Sequence, residues 1–172
     1  MTPDNISVPD GNYIGIDPGL TGGVAMIRYS DGELSLLEAR RMPVKEQNGA
    51  NVIDVAVLED YFSGWDVTAI VIEEQEVRSG NSAQASRTTM RNYGMLLGWS
   101  NLRCGNVRIV QAAKWKKDSG IPADKTEAMK IASDLFGNGY WPRQRDDGVA
   151  EAALIARWGV YSIHPAAEGA TP

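Results

Sequence analysis

The pattern of apolar and polar positions begins with a run of strands. Alternating or continuous apolar residues predict strands at 13–17, 22–30 and 34–42. The Asp31-Gly32 pair between the second and third strands is a hairpin signal. Because the connections are short, we expect these three strands to form an antiparallel meander.

Helices and strands alternate in the rest of the chain. An almost continuous apolar run at 67–74 is typical of a buried central strand, and a further strand is expected at 106–111. Apolar spacing and capping residues predict four helices, at 52–65, 82–102, 123–137 and 146–163. This order predicts an α/β fold: a five-stranded mixed sheet, made of the meander and two parallel strands, with helices on both faces.

One domain accounts for most of the 172 residues. We expect it to span 12–163, between a flexible leader at 1–11 and a flexible tail at 164–172. No apolar run approaches the roughly 18 residues that a membrane helix needs. The first residues also lack the basic and apolar stretches of a secretory signal, so a cytoplasmic protein is expected.

Cysteine and histidine counts exclude several kinds of chemistry. Cys104 is the single cysteine and His164 the single histidine. An internal disulfide, a cysteine-rich zinc site and a histidine-ligated zinc site all lack their ligands. A serine or cysteine hydrolase would have to recruit His164 from the expected tail. An enzyme built on this sequence would therefore use carboxylates, lysines or a hard metal ion.

Charge is distributed unevenly along the chain, whose net charge is −5. Residues 77–117 contain no acidic side chain but eight basic ones: Arg78, Arg87, Arg91, Arg103, Arg108, Lys114, Lys116 and Lys117. A segment of this kind in an acidic protein is typical of a surface that binds a polyanion. The alternative is an arginine-rich surface without a ligand.

Carboxylates follow two of the apolar strands and open the last helix. Asp17 ends the first strand and Glu73 follows the apolar run of the fourth. If these strands are parallel neighbours, the two side chains lie together at the carboxyl edge of the sheet, where ligands gather in α/β folds. Asp147 and Glu151 are four residues apart and therefore share one helical face. Small residues around them would let this helix pack closely on the sheet.

Four carboxylates at one point predict a bound cation, because they cannot all stay ionised without one. Oxygen ligands without histidine or cysteine favour Mg²⁺ or Mn²⁺. Two such ions roughly 4 Å apart can clamp a phosphodiester during hydrolysis. Three of the acids also have a local alternative: Asp17 could open a turn, Glu73 could end a strand, and Asp147 could cap a helix.

Three segments resemble, in order, the active-site blocks of RuvC-type Holliday junction resolvases: IGIDPGLTGGVAM, VIEEQEVRSGNS and DDGVAEAALIARWG. The similarity is to the phage and organellar branch, and it extends over roughly 12–160. It includes a Tyr93-Gly94 pair, a Trp115-Lys116-Lys117 element and an Asp124-Lys125 helix start. Sugar kinases and Hsp70-like ATPases share a similar first strand, but they need two such domains and a much longer chain.

The resemblance implies an RNase H-like fold and a homodimer. It implies hydrolysis of DNA four-way junctions by paired nicks, with two Mg²⁺ (or Mn²⁺) ions in each active site. It also implies that the protein acts in a bacterial or phage-infected cell. It implies Asp17, Glu73 and Glu151 as metal-binding catalytic acids, with Asp147 as the expected fourth acid and Asp146 as the alternative. Lys116 corresponds to the basic residue of the site. The expected DNA contacts are Arg78, Arg87, Arg91, Lys114, Lys116 and Lys117.

Helix 82–102 is the expected dimer surface, because it carries more large apolar residues than one buried face needs. Those residues are Met90, Tyr93, Leu96, Leu97 and Trp99, and Gly94 and Gly98 would permit close approach of a second helix. Two other functions stay open. One is an RNase H that cuts the RNA of an RNA–DNA hybrid, and the other is a junction-binding protein without catalysis.

Overall fold

A computed structural model describes residues 8–77 and 80–163. Arg78, an expected DNA contact, lies outside the described residues, and so do the expected tail and most of the expected leader.

The main sheet has five strands, and the predicted α/β fold class is confirmed. Its strands in chain order are β1 (Gly11–Asp17), β2 (Gly23–Ser30), β3 (Glu33–Arg41), β6 (Ala69–Glu73) and β7 (Val107–Val110). A separate hairpin is formed by β4 (Val44–Gln47) and β5 (Ala50–Ile53). The spatial order is β3-β2-β1-β6-β7. β1, β2 and β3 form the expected antiparallel meander, whereas β1, β6 and β7 run parallel. The carboxyl ends of β1 and β6 therefore share one edge of the sheet.

Helices cover both faces of the sheet, as predicted. They are α1 (Val55–Phe62), α2 (Ala83–Arg103), α3 (Ala112–Asp118), α4 (Lys125–Phe136) and α5 (Asp147–Ser162). One face is covered by α5, which packs on β1, β2 and β3 and is itself flanked by α3 and α4. Because α5 is enclosed on nearly all sides, its residues are apolar or small around most of its circumference.

The other face of the sheet is covered by α1 and α2. Tyr93, Leu96 and Trp99 of α2 are buried in the apolar core on this face. The expectation that these three residues form a dimer surface is therefore wrong, because they pack on the sheet of their own chain. Met90 is exposed on α2, and a side chain at Gly94 or Gly98 would meet open space.

A hairpin between β3 and α1 was not predicted from the pattern. β4 (Val44–Gln47) and β5 (Ala50–Ile53) pair antiparallel, so the helix expected from residue 52 begins only at Val55. Asn48 and Gly49 both have positive φ, as a two-residue hairpin turn requires. The buried side chain of Asn92 accepts a 3.0 Å hydrogen bond from the Ile53 amide and thereby fixes the hairpin to α2.

Two further details concern the helices near the site. The seven-residue α3 was not predicted; its sequence, AAKWKKD, is too short for an apolar repeat. The expected cap of α4 is confirmed, because Asp124 accepts a 2.9 Å hydrogen bond from the Glu127 amide. The expected stop at Gly137 is confirmed as well, since this residue ends α4 with a φ of 79°.

In the described ranges, no helix is both long and apolar enough to cross a membrane.

Candidate active site

Two acidic side chains lie next to each other on neighbouring strands. Ile16 pairs with Ile72 in the parallel register, so Asp17 and Glu73 follow at the same edge of the sheet. Successive side chains of a strand point to opposite faces. Ile14 and Ile16 are in the core beneath α1 and α2, which turns Asp17 towards α5, and the same alternation turns Glu73 that way.

The last helix reaches this edge because small residues let it approach the sheet. A Cβ atom built on Gly15 would lie 2.1 Å from the Ala152 carbonyl oxygen, and one built on Gly148 would lie 2.7 Å from Asp17 Oδ2. A side chain at either position would force α5 away from β1. This close contact places Asp147 and Glu151, on the first two turns of α5, beside Asp17.

The acidic side chains perturb one another. The pKa of Asp17 is raised to about 7, first by burial and then by repulsion from Glu151 and Glu73, with a smaller contribution from Asp147. Burial also raises the pKa of Glu73, and a hydrogen bond from Trp115 opposes this change. The site therefore holds more negative charge than its surroundings neutralise.

Two lysines partly offset this charge. Lys116 of α3 donates to Glu151 Oε1 at 2.5 Å, and Glu151 is only 7% exposed. Lys125, the first residue of α4, pairs with Asp147, and this hydrogen bond raises the pKa of the lysine. Each acid of α5 thus has a lysine partner from a different helix.

A buried tryptophan connects α3 to the site. The Trp115 indole N–H donates to Glu73 Oε2 at 2.7 Å, while the Lys116 ammonium lies 5.2 Å from the centre of the same ring. At the end of α3, Asp118 accepts a hydrogen bond from Trp158 of α5 at 3.1 Å. These contacts hold α3 so that Lys116 faces the acids.

The two candidates for the fourth acid occupy different environments. Asp147 faces Asp17 and Lys125. Asp146 is buried and binds the Arg41 guanidinium, with 2.6 Å between its Oδ1 and Arg41 Nε. Its other carboxylate oxygen, Oδ2, accepts a 3.1 Å hydrogen bond from the Arg143 amide. The geometry therefore favours Asp147 as the fourth member of the cluster.

The donor atoms of the cluster suit a hard divalent cation. Asp17, Glu73, Asp147 and Glu151 offer carboxylate oxygens, which Mg²⁺ and Mn²⁺ prefer. With the side chains as they lie, no three acidic groups in the described part of the chain converge closely enough to hold one ion together. Lysines pair with two of the four carboxylates, and burial together with the charges of Glu151 and Glu73 still raises the pKa of Asp17. By charge and by donor type, the residues fit the ion.

Basic residues of the acid-free segment separate into two groups. Arg103 binds the carbonyl oxygen of Phe62, and Arg108 binds those of Ser162 and Ile163 at the far end of α5, so both are used in the fold. The expected DNA contacts among the described residues lie on α2 and α3: Arg87, Arg91, Lys114, Lys116 and Lys117. Arg87, Arg91, Lys114 and Lys117 are exposed, and Lys116 is partly buried at the acidic cluster.

Three residues around the acids were not assigned to the site from the sequence. In the sequence, Lys125 is recognisable only as a helix start and Trp115 only as part of a motif, although both contact acids of the cluster. Arg41, at the end of β3, was not singled out at all. Their positions depend on how α3, α4 and β3 pack around α5, which the sequence pattern does not contain.

No protein-family model matches the chain, and no curated protein matches it. Solved structures do. A structure of Thermus thermophilus RuvC in complex with a Holliday junction substrate has a TM-score of 0.63 and 18% identity, covering 94% of this chain and 99% of that one. Another structure of Thermus thermophilus RuvC has a TM-score of 0.57 and 20% identity, with 90% and 95% covered. The mixed sheet, its strand order and these similarities together show that this chain has the RNase H-like fold of RuvC.

Proposed function

We propose that this protein is a structure-specific endonuclease that resolves four-way DNA junctions by paired phosphodiester hydrolysis. The observation that carries the proposal is the placement of Asp17, Glu73, Asp147 and Glu151, from β1, β6 and α5, at one edge of a RuvC-like sheet, where they influence one another electrostatically. The neighbour that was solved with a Holliday junction substrate supports branched DNA as the substrate class.

In this proposal, the four acids would hold two Mg²⁺ or Mn²⁺ ions. Ions of this kind supply an activated water on one side of the scissile phosphate and stabilise the leaving oxygen on the other. The chain itself positions the ligands: Trp115 orients Glu73 through its indole N–H. Close packing of Gly148 against Asp17 holds α5 in place.

Lys116 and Lys125 contribute positive charge where the substrate must approach. A phosphodiester brought to four carboxylates is repelled, and these two ammonium groups, one from α3 and one from α4, contact Glu151 and Asp147 directly. Lys125 is 64% exposed, so it is accessible from solvent, whereas Lys116 is held by Glu151. Both would neutralise phosphate charge during binding.

DNA contacts are proposed on two sides of the acids. Arg87 and Arg91 lie on α2, and Arg91 is oriented by a 2.9 Å hydrogen bond to Gln47 in the hairpin. Lys114 and Lys117 lie on α3. Phosphate contacts release counterions, so the logarithm of the affinity should fall by about 0.9 per contact for each tenfold rise in salt. A junction wrapped by both groups should therefore bind with a steep salt dependence.

A dimer fits this substrate, because a four-way junction has two opposed strands to cut. Met90, Gly94, Gly98 and Leu102 form one exposed row on α2, four residues apart, and Leu102 is 92% exposed. A second copy of the chain could pack against this row and approach it most closely at Gly94 and Gly98. Light scattering should report about twice 18.7 kDa in solution. A monomer that nicks both strands in one binding event would refute the dimer.

Substrate choice tests the proposed activity. Purified protein with Mg²⁺ should cut an immobile four-way junction much faster than a linear duplex or an RNA–DNA hybrid of the same sequence. Faster cleavage of the hybrid would identify an RNase H instead. Junction binding without cleavage, in the presence of Mg²⁺ or Mn²⁺, would identify a binding protein.

A further inference from the structure

A second basic surface lies outside the acid-free segment, at the junction of β3 and α5. Arg41, the last residue of β3, donates to Asp146 through Nε and Nη2, and its Nη2 also donates to the Arg145 carbonyl oxygen at 3.3 Å. Asp146 is 6% exposed, whereas the Arg41 side chain is 47% exposed. The buried acid thus fixes an arginine that still faces solvent.

Two more arginines flank this pair on the same turn. Arg143 and Arg145 are both exposed. Within the described ranges 8–77 and 80–163, neither side chain forms an ion pair with another residue. Two hydrogen bonds anchor the turn that carries them: Asp146 accepts one from the Arg143 amide, and Gln144 donates one to Thr126 Oγ1 at 3.2 Å. With Asp146 counted, Arg41, Arg143 and Arg145 leave a net charge of about +2 on this surface.

The arginine surface is close to the acidic cluster. Asp17, Gly23 and Arg41 form one lateral row across β1, β2 and β3. Neighbouring strands are about 4.8 Å apart, so the backbones of Asp17 and Arg41 are separated by about 10 Å. Phosphates of one DNA strand repeat about every 3.4 Å along the helix axis. Because the strand also winds around that axis, successive phosphates are farther apart than this rise, and a phosphate within about two nucleotides of one held at Asp17 would lie beside Arg41.

We infer that Arg41, Arg143 and Arg145 bind the phosphate backbone of the DNA strand on the β3 side of the cleavage site. This inference rests on the proposed function and deepens it. Lys116 comes from α3, which follows β7 at the opposite edge of the sheet from β3, so Lys116 and the arginines hold the strand from both sides of the acids. Guanidinium groups suit this role because they bind phosphate oxygens in pairs.

Arg143→Ala and Arg145→Ala, separately and together, test the inference without disturbing the Arg41–Asp146 pair. Lys130→Ala is the matched control, since Lys130 is a 76% exposed residue on α4 whose loss changes the net charge equally. Binding to an immobile four-way junction is measured by fluorescence anisotropy in EDTA over a series of salt concentrations. Thermal unfolding checks that each variant is folded.

We expect each arginine variant to reduce the slope of log affinity against log salt by about 0.9, and the double variant by about twice that. Lys130→Ala should leave the slope unchanged. Wild-type slopes in folded Arg143→Ala/Arg145→Ala, with junction binding and cleavage intact, would overturn this inference alone. An equal reduction of the slope in Lys130→Ala would also overturn this inference, because it would show a non-specific effect of net charge. A wild type that neither binds nor cuts branched DNA would overturn the proposed function and this inference together.

Discussion

Replacing Asp17 with asparagine should stabilise the protein at neutral pH in the absence of metal. The pKa of this carboxyl is about 7 in the folded chain and 3.8 in its unperturbed state, because burial and the charges of Glu151 and Glu73 disfavour its ionisation. As the pH rises from about 4 to 7, the unfolded chain loses this proton while the folded chain keeps it. The wild type therefore loses stability over this window, and Asp17→Asn does not.

The magnitude follows from the size of the pKa shift. A rise from 3.8 to about 7 is about three pH units, and each unit corresponds to about 1.36 kcal/mol. The full effect is therefore about 4 kcal/mol above pH 7. Asp17 is partly exposed, so water screens some of the repulsion. We expect Asp17→Asn to raise the free energy of unfolding by about 2–4 kcal/mol at pH 8 and by almost nothing at pH 4.

Urea denaturation in EDTA, repeated from pH 4 to pH 8, measures this difference. Asp60→Asn is the control, because Asp60 is exposed on α1, outside the acidic cluster. Adding Mg²⁺ at pH 8 should stabilise the wild type more than Asp17→Asn and so reduce the gap. Parallel stability curves for wild type and Asp17→Asn across this range would refute the reasoning, since they would show that burial and the neighbouring acids do not raise the pKa of Asp17.

Four further substitutions test individual contacts. Trp115→Phe removes the indole donor from Glu73, which should raise the pKa of that acid further and move the acid limb of the pH–rate profile to higher pH. Asn92→Ala leaves a backbone amide of the hairpin without its partner and should lower the free energy of unfolding by about 1–3 kcal/mol in urea denaturation. Asp147→Asn should abolish cleavage with little change in stability, whereas Asp146→Asn should destabilise the fold by about 1–2 kcal/mol and leave some cleavage. The opposite pattern would exchange the roles of the two acids.

The main sheet and the acids at its edge could be predicted because both depend on local patterns. Apolar runs ending in Asp17 and Glu73 mark two strands whose carboxyl ends meet if the strands are parallel neighbours, and they are. The spacing of Asp147 and Glu151 defines one helical face, and the small residues between them permit the observed contact with the sheet.

Features that depend on tertiary packing were missed. The hairpin is signalled by Asn48-Gly49, but the apolar residues of β5 also fit the helical spacing of α1, and the helix was extended over them. Tyr93 and its apolar neighbours on α2 looked surplus to one face because the depth of the core beneath that helix is not visible in a sequence. Lysine partners such as Lys125 come from separate helices, and no local pattern links them to Asp147.

Cleavage of an immobile four-way junction by wild type and Glu73→Gln tests the central claim most directly. Two opposed strands of the junction carry different fluorescent labels, and the products are resolved after single turnover with Mg²⁺. The account predicts that the wild type nicks both labelled strands, and that Glu73→Gln binds the junction as tightly or more tightly without cutting it. Cleavage by folded Glu73→Gln near the wild-type rate, or no cleavage by the wild type with either Mg²⁺ or Mn²⁺, would contradict the account.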